Sequence, residues 1–189
     1  TIMSYAGSCT GGNSIQQESD PYFHVGNIVQ VRNFVAMGDG NLCGETLSTN
    51  NNTPTAATDI PALGLYLPIS TPFVLSGSGS DSDGDVLSYC WEQYDLGPVT
   101  QLGAPTGSAP SFRSFPPVSV PERTFPRIQT VASNNPSNSE VLPTYNRLLT
   151  FRMTVRDNHA GGGGVDWTEV KMQSTTTAGP FLVTYPNEL

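Results

Sequence analysis

The chain has 189 residues, with 8 Lys and Arg against 16 Asp and Glu, and a formal net charge of −8. A protein that grips a nucleic-acid backbone needs a basic face, so this balance argues against that partner. No apolar run approaches the roughly 18 residues that a bilayer-spanning helix needs. Only 13% of the residues are charged, while Gly (19) and Pro (16) are abundant, which suits an extracellular, turn-rich β protein better than a helical bundle.

The first segment runs to residue 45. TIMSYAGSC opens it with no helix cap or leader, and reads like the middle of a loop in a longer protein. SDPYFHVGNIVQVRNFVAM then predicts a helix near 21–37, with Ser19 or Asp20 as N-cap, Pro21 in the first turn and Gly38 as the stop. Ile28, Val31, Phe34 and Val35 recur at helical spacing and give it an apolar face. Cys9 and Cys43 bracket this segment. A bridge between them would close a loop of about 35 residues and contribute roughly 3–4 kcal/mol by the chain-entropy estimate. Such a bridge implies export to an oxidising compartment. Cys90, inside a strand-like run, reads as a small hydrophobe, and the alternative to the bridge is three reduced, buried thiols in a cytosolic protein.

Residues 46–60 shift to STNNNTPTAATD, a polar stretch that reads as a linker. From 61 to 176 the hydrophobic period changes to two. TPFVLSG, DVLSYCWEQYD, RLLTFRMTVRD and VDWTEVKMQ each read as strands separated by turn residues. Leu149, Phe151, Met153 and Val155 share one face of the third, and Thr150, Arg152, Thr154 and Arg156 the other, so one side is expected buried and one wet. Leu87, Tyr89 and Trp91 repeat the pattern. The expected fold is mainly β, an immunoglobulin-like antiparallel β-sandwich with a short helical N-terminal segment. A Pro/Ser/Gly-rich insertion covers 96–145; Phe112, Phe115 and Phe125 are costly to leave in water, so it should pack back on the sandwich as a brace. Arg113, Arg123 and Arg127 are expected to anchor it through charge-assisted bonds. Residues 177–189 read as a lead-in to a following module.

GSGSDSDGDVLSYCWE places Asp81, Asp83 and Asp85 at alternate positions, and three like charges so close need a cation or hydrogen bonds. Calcium, a hard cation tolerant of irregular oxygen cages, is the natural candidate. An EF-hand is rejected: its sixth position would be Val86 where the sharp turn needs Gly. Asp157, at the end of RMTVRD before the Gly run 161–164, joins the group if the two loops meet. The alternative is a solvated turn in which Asp side chains cap amides. Catalytic signals are missing: there is no HExxH, and His24 and His159 make a poor zinc pair. No nucleophile elbow or P-loop occurs either.

TIMSYAGSC, SDPYFHVGNIVQV and GNLCG together resemble the end of a metzincin catalytic domain, that of the reprolysin-like zinc endopeptidases of gliding and related bacteria. The later blocks, TPFVLSGSGSDSDGDVLSYCWEQYDLGP, EVLPTYNRLLTFRMTVRDN and AGPFLVTYPN, look like those that follow that domain. STPFVLSGSGSDSDGDVLSYCWE is also similar to polycystic-kidney-disease and cadherin-like sandwiches, several of which bind calcium. The resemblance implies that Met3 is the Met-turn methionine beneath a zinc site, with every zinc ligand and the catalytic Glu upstream of Thr1. It makes residues 1–45 the last part of a catalytic domain, in a secreted or cell-surface bacterial protein. Zinc would then belong to the parent enzyme, calcium to this chain, and no catalytic residue to this chain. Its partners would be the rest of the parent, downstream modules and the parent's protein substrate. The rival readings are an extracellular protein- or carbohydrate-binding module and a calcium-dependent adhesion repeat.

Overall fold

The computed structural model describes residues 1–4, 6–8, 14–61 and 64–182. Their architecture is mainly β, with few helices and several sheets. The two long strands, β7 (Arg147–Arg156) and β8 (Val165–Thr175), pair antiparallel and carry the fold. Strand β5 (Ser88–Gln93) adds antiparallel to β7, and β2 (Leu65–Pro68) adds parallel to β8. Two short ribbons accompany this four-stranded sheet: β3 (Phe73–Ser76) with β6 (Glu122–Phe125), and β1 (Thr55–Ala57) with β4 (Ser78–Ser80).

The alternation read in RLLTFRMTVRD is realised on its apolar side. Leu149, Phe151, Met153 and Val155 are all fully buried, and the register sets Met153 beside Trp91 and Phe151 beside Val170. Leu75 and Phe125 from the β3–β6 ribbon, with Leu67, Phe112 and Met172, complete one continuous core. Phe73, Phe112, Phe125 and Phe151 form its aromatic centre, with ring centroids 4.8–5.9 Å apart in edge-to-face, tilted and stacked pairs. Each such ring contributes about 2–3 kcal/mol by leaving water. Two of the four, Phe112 and Phe125, come from the 96–145 insertion, which folds back into the core and carries β6 and a short helix α2 (Ile128–Ser133).

The expected wet side of β7 is covered. Thr154 is fully buried there, and Cys90 and Glu92 on β5, paired with Thr154 and Arg152, are buried as well. What covers this side includes the N-terminal segment, whose helix α1 runs Val25–Met37. It starts four residues after Pro21 because its cap is different from the expected one. The His24 side chain accepts from Gly26 N through Nδ1 at 3.0 Å, while Asp20 is held by Gln16 and faces Arg113. Arg32 of α1 lies over Trp167, 5.0 Å from its ring centroid. Most of the apolar stripe of α1 is left uncovered by the described residues: Val31, Phe34 and Val35, with Met37, are exposed, while Ile28 is half-buried.

The stretch read as a linker is partly built into the fold. Pro54 is fully buried, β1 lies at 55–57, and Ala56 N donates to Asp166 Oδ2 at 2.9 Å. Short side chains and Pro let this polar segment lie close against neighbouring strands. No helix among the described residues is long and apolar enough to cross a membrane.

Candidate functional site

The acidic loop after β4 and the glycine-rich turn between β7 and β8 meet at one end of the molecule. Asn158 Nδ2 donates to Val86 O at 2.9 Å, Ser88 Oγ lies 3.2 Å from Asn158 Oδ1, and His159 Nδ1 lies 2.8 Å from Asp85 Oδ2. Residues 51 and 52 close the same end: Asn52 donates to Asp83 through its backbone N (2.6 Å) and its Nδ2 (2.8 Å).

Asp81, Asp83 and Asp85 each present a carboxylate oxygen, all within 4.8 Å of one another. Part of their charge is met by the protein. Asp81 Oδ1 accepts from the amides of Asp83 (2.8 Å) and Asp85 (3.2 Å), a turn cap of the kind Asp favours. The two bonds from Asn52 lower the Asp83 pKa below the ordinary carboxylate value. The contact with Asp85 raises the His159 pKa above its usual value. Asp81 Oδ2 is buried with no hydrogen-bond donor among the described residues, and so is Asn51 Oδ1. A buried acceptor left unpaired costs about 1–3 kcal/mol, so a cation that accepts oxygen ligands fits this donor set. The three aligned carboxylates suit a hard divalent ion better than a soft one.

Asp157 stands beside this group and is used differently. It is buried, with Oδ1 accepting from the amides of His159 (3.0 Å) and Gly164 (2.8 Å) and Oδ2 from Asn51 Nδ2 (2.7 Å) and Gly164 N (2.8 Å). Burial pushes its pKa up; the bonds from Asn51, His159 and Gly164 more than offset this, and the net shift is downward. The glycine run is therefore a turn closed on Asp157. A Cβ at Gly164 would lie 2.7 Å from Asp157 Oδ2 and 2.9 Å from Pro54 Cδ, so only glycine allows that approach.

Met3 is exposed. Cys43 is an exposed thiol, and its expected partner, Cys9, lies outside the described residues. Cys90 is buried beneath Phe115, with Sγ 3.2 Å from the Phe115 carbonyl oxygen, and burial pushes its pKa up to about 12.

Sequence reasoning missed one residue. Glu92, read from the sequence only as part of the strand DVLSYCWEQYD, is fully buried on β5, where its carboxylate receives the start of α1. Oε2 accepts from Val25 N at 2.8 Å, Oε1 accepts from Ser114 Oγ, and His24 Nε2 is 3.7 Å from Oε1. Tyr22 OH extends the chain by donating to Ser114 Oγ at 2.6 Å. The signal was present in the strand period, since Glu92 falls out of phase with Leu87, Tyr89 and Trp91. A carboxylate there has to meet solvent or a cap.

Comparisons of the chain with protein-family models, with curated proteins and with solved structures find no match.

Proposed function

We propose that this chain is a non-catalytic part of a secreted zinc metalloendopeptidase: the last portion of its catalytic domain, docked on an immunoglobulin-like β-sandwich that serves as an ancillary docking and spacer module. The observation that carries the reading is the N-terminal segment's divided loyalty. Glu92 anchors the start of α1 on the sheet, while the helix's apolar stripe, with Ile2 and Met3, faces outward. Exposed apolar side chains grouped on one helix suit an interface with further protein, as the end of a larger domain would need. In this reading Met3 belongs beneath a zinc site whose ligands lie on other parts of the parent, and a Cys9–Cys43 bridge closes the segment.

Calcium at Asp81, Asp83 and Asp85 would rigidify the sandwich end, with Asp157 bracing the adjoining turn. The unpaired Asp81 Oδ2 supports an ion at this loop. The mild affinity typical of extracellular modules is expected, a dissociation constant of roughly 0.1–1 mM.

The test is the intact gene product. A zinc-binding His-Glu helix is expected before Thr1, and chelator-sensitive proteolysis by the intact protein should vanish when that Glu is replaced, while this chain alone cleaves nothing. A parent without such a helix, or cleavage by this chain alone, overturns the proposal.

A further inference from the structure

A cleft of about 410 Å³ opens between β5 and β6, with Trp91, Phe115, Val118, Val120 and Ile128 among its apolar walls and Arg123 and Arg127 as its cations. Its charge runs against that of the molecule. Of the 8 basic residues in a chain of net charge −8, three gather at one ring: the guanidinium carbons of Arg113, Arg123 and Arg127 lie 4.8, 4.9 and 4.1 Å from the Phe115 centroid. Arg113 is turned toward Gln16 and Asp20. Arg123 donates to Trp91 O, Arg113 O and Glu140, yet its Nε is buried with no acceptor among the described residues. The Arg127 guanidinium forms no ion pair among the described residues; Glu140 takes only its backbone N–H, at 3.1 Å. Glu122 is the one carboxylate on the cleft wall.

The cleft also has a free strand edge. Among the described residues, strand β6 pairs only with β3. Gly77 N donates to Pro121 O at 3.2 Å, and the register Leu75 to Arg123 and Phe73 to Phe125 continues that hydrogen-bonded phase. In an antiparallel ladder the intervening residues turn their N–H and C=O the other way. Glu122 and Thr124, both on the cleft wall, therefore direct their backbone groups to the unpaired edge, where no backbone group meets them among the described residues.

We propose that this cleft binds an extended segment of another polypeptide, which adds as a strand to the β6 edge, seats aliphatic side chains on Val118, Val120 and Ile128, and places a carboxylate on Arg127. Main-chain bonds supply the affinity in this mode of recognition and the side-chain pockets the selectivity. The acidic character of the partner follows from the Arg127 guanidinium, which lines the cleft without an ion pair among the described residues, since a carboxylate takes two parallel bonds from such a fork.

The probe is an acetylated, amidated pentapeptide of sequence Thr-Val-Glu-Val-Thr, titrated into the full chain and followed by backbone amide NMR and hydrogen exchange. Saturable binding is expected, with the Glu122 and Thr124 amides shifting and gaining protection. The Gln-for-Glu peptide and the Arg127→Ala variant should each weaken binding by roughly tenfold or more, as loss of a charge-assisted pair does. Thr124→Pro removes one edge N–H and should abolish the gain in protection, its fold being checked by circular dichroism. Octanoate, which offers a carboxylate and an apolar tail but no backbone, should bind far more weakly. No saturable binding, equal binding of the Gln peptide, or octanoate binding as well as the Glu peptide overturns the proposal.

Discussion

Replacing Glu92 by Ala isolates the joint between the N-terminal segment and the sheet. The carboxylate is fully buried and accepts two hydrogen bonds, from Val25 N and Ser114 Oγ. Each bond to a charged acceptor is worth about 1.5–3 kcal/mol, so the gross loss is roughly 3–6 kcal/mol. Removing the charge also relieves the cost of keeping a carboxylate out of water, which offsets part of that loss. We expect a net cost of about 2–4 kcal/mol, comparable to other buried polar truncations. The loss should be local. Val25 opens α1, and without its acceptor the segment from Tyr22 to the helix detaches before the core does. Native-state hydrogen exchange reads this directly: the Val25 and Gly26 amides should lose protection by roughly 30- to 1,000-fold, the equivalent of that free energy. Amides of β7 and β8 should change far less. Ser114→Ala, which removes one of the two bonds, should produce a smaller drop at the same amides. Unchanged Val25 protection in Glu92→Ala would refute the reasoning, because it would mean that α1 is held by something other than this carboxylate.

Three further outcomes follow from the same structure. If Asp81, Asp83 and Asp85 hold calcium with a dissociation constant near 1 mM, 10 mM calcium should add about 1.4 kcal/mol by mass action. That is roughly 3–6 °C in melting temperature, reversed by EDTA and absent in Asp81→Asn; no shift in the unmodified chain removes the ion. Cys90, with its pKa pushed up to about 12 by burial, should resist iodoacetamide at pH 8 until the chain is unfolded, and rapid native labelling at Cys90 would contradict its placement. For Glu169, burial raises the pKa, and bonds from Arg152 and Lys171 outweigh it, so the folded value lies below the unfolded one. Its contribution, about 0.5–1 kcal/mol for a partly exposed pair, is therefore present above the unfolded carboxylate pKa and lost as pH falls through the folded one. Glu169→Gln should flatten that acid limb in urea denaturation, and an identical limb would rule the pair out.

Where the period was long and the residues bulky, the fold could be read from the chain. RLLTFRMTVRD became β7 with its apolar set fully buried, because ten residues of strict alternation leave no other face for Leu149, Phe151, Met153 and Val155. The short strands β1, β2 and β4 were not readable. The three residues of Thr, Ala, Ser or Gly in β1 and β4 carry too little side-chain signal, β2 is only four residues long, and their pairing is decided by partners distant in sequence. The same holds for the start of α1. Ser19 and Asp20 satisfied the local capping rule, yet Val25 N is received by a carboxylate 67 positions away. A local rule has no access to such a cap.

The acidic loop shows the opposite balance. The alternate spacing of Asp81, Asp83 and Asp85 was visible and does bring their oxygens within 4.8 Å. What the spacing left open is how the protein divides its donors among the four aspartates considered. Asp157 receives every hydrogen bond its two oxygens need from Asn51, His159 and Gly164. Asp81 keeps one oxygen buried and unpaired. A turn built only to cap amides would have no reason to leave that acceptor empty while saturating its neighbour, since each unpaired buried acceptor costs as much as a hydrogen bond contributes. The asymmetry between Asp157 and Asp81, more than the count of carboxylates, is what favours an ion on the Asp81 side of the loop and a structural brace on the other.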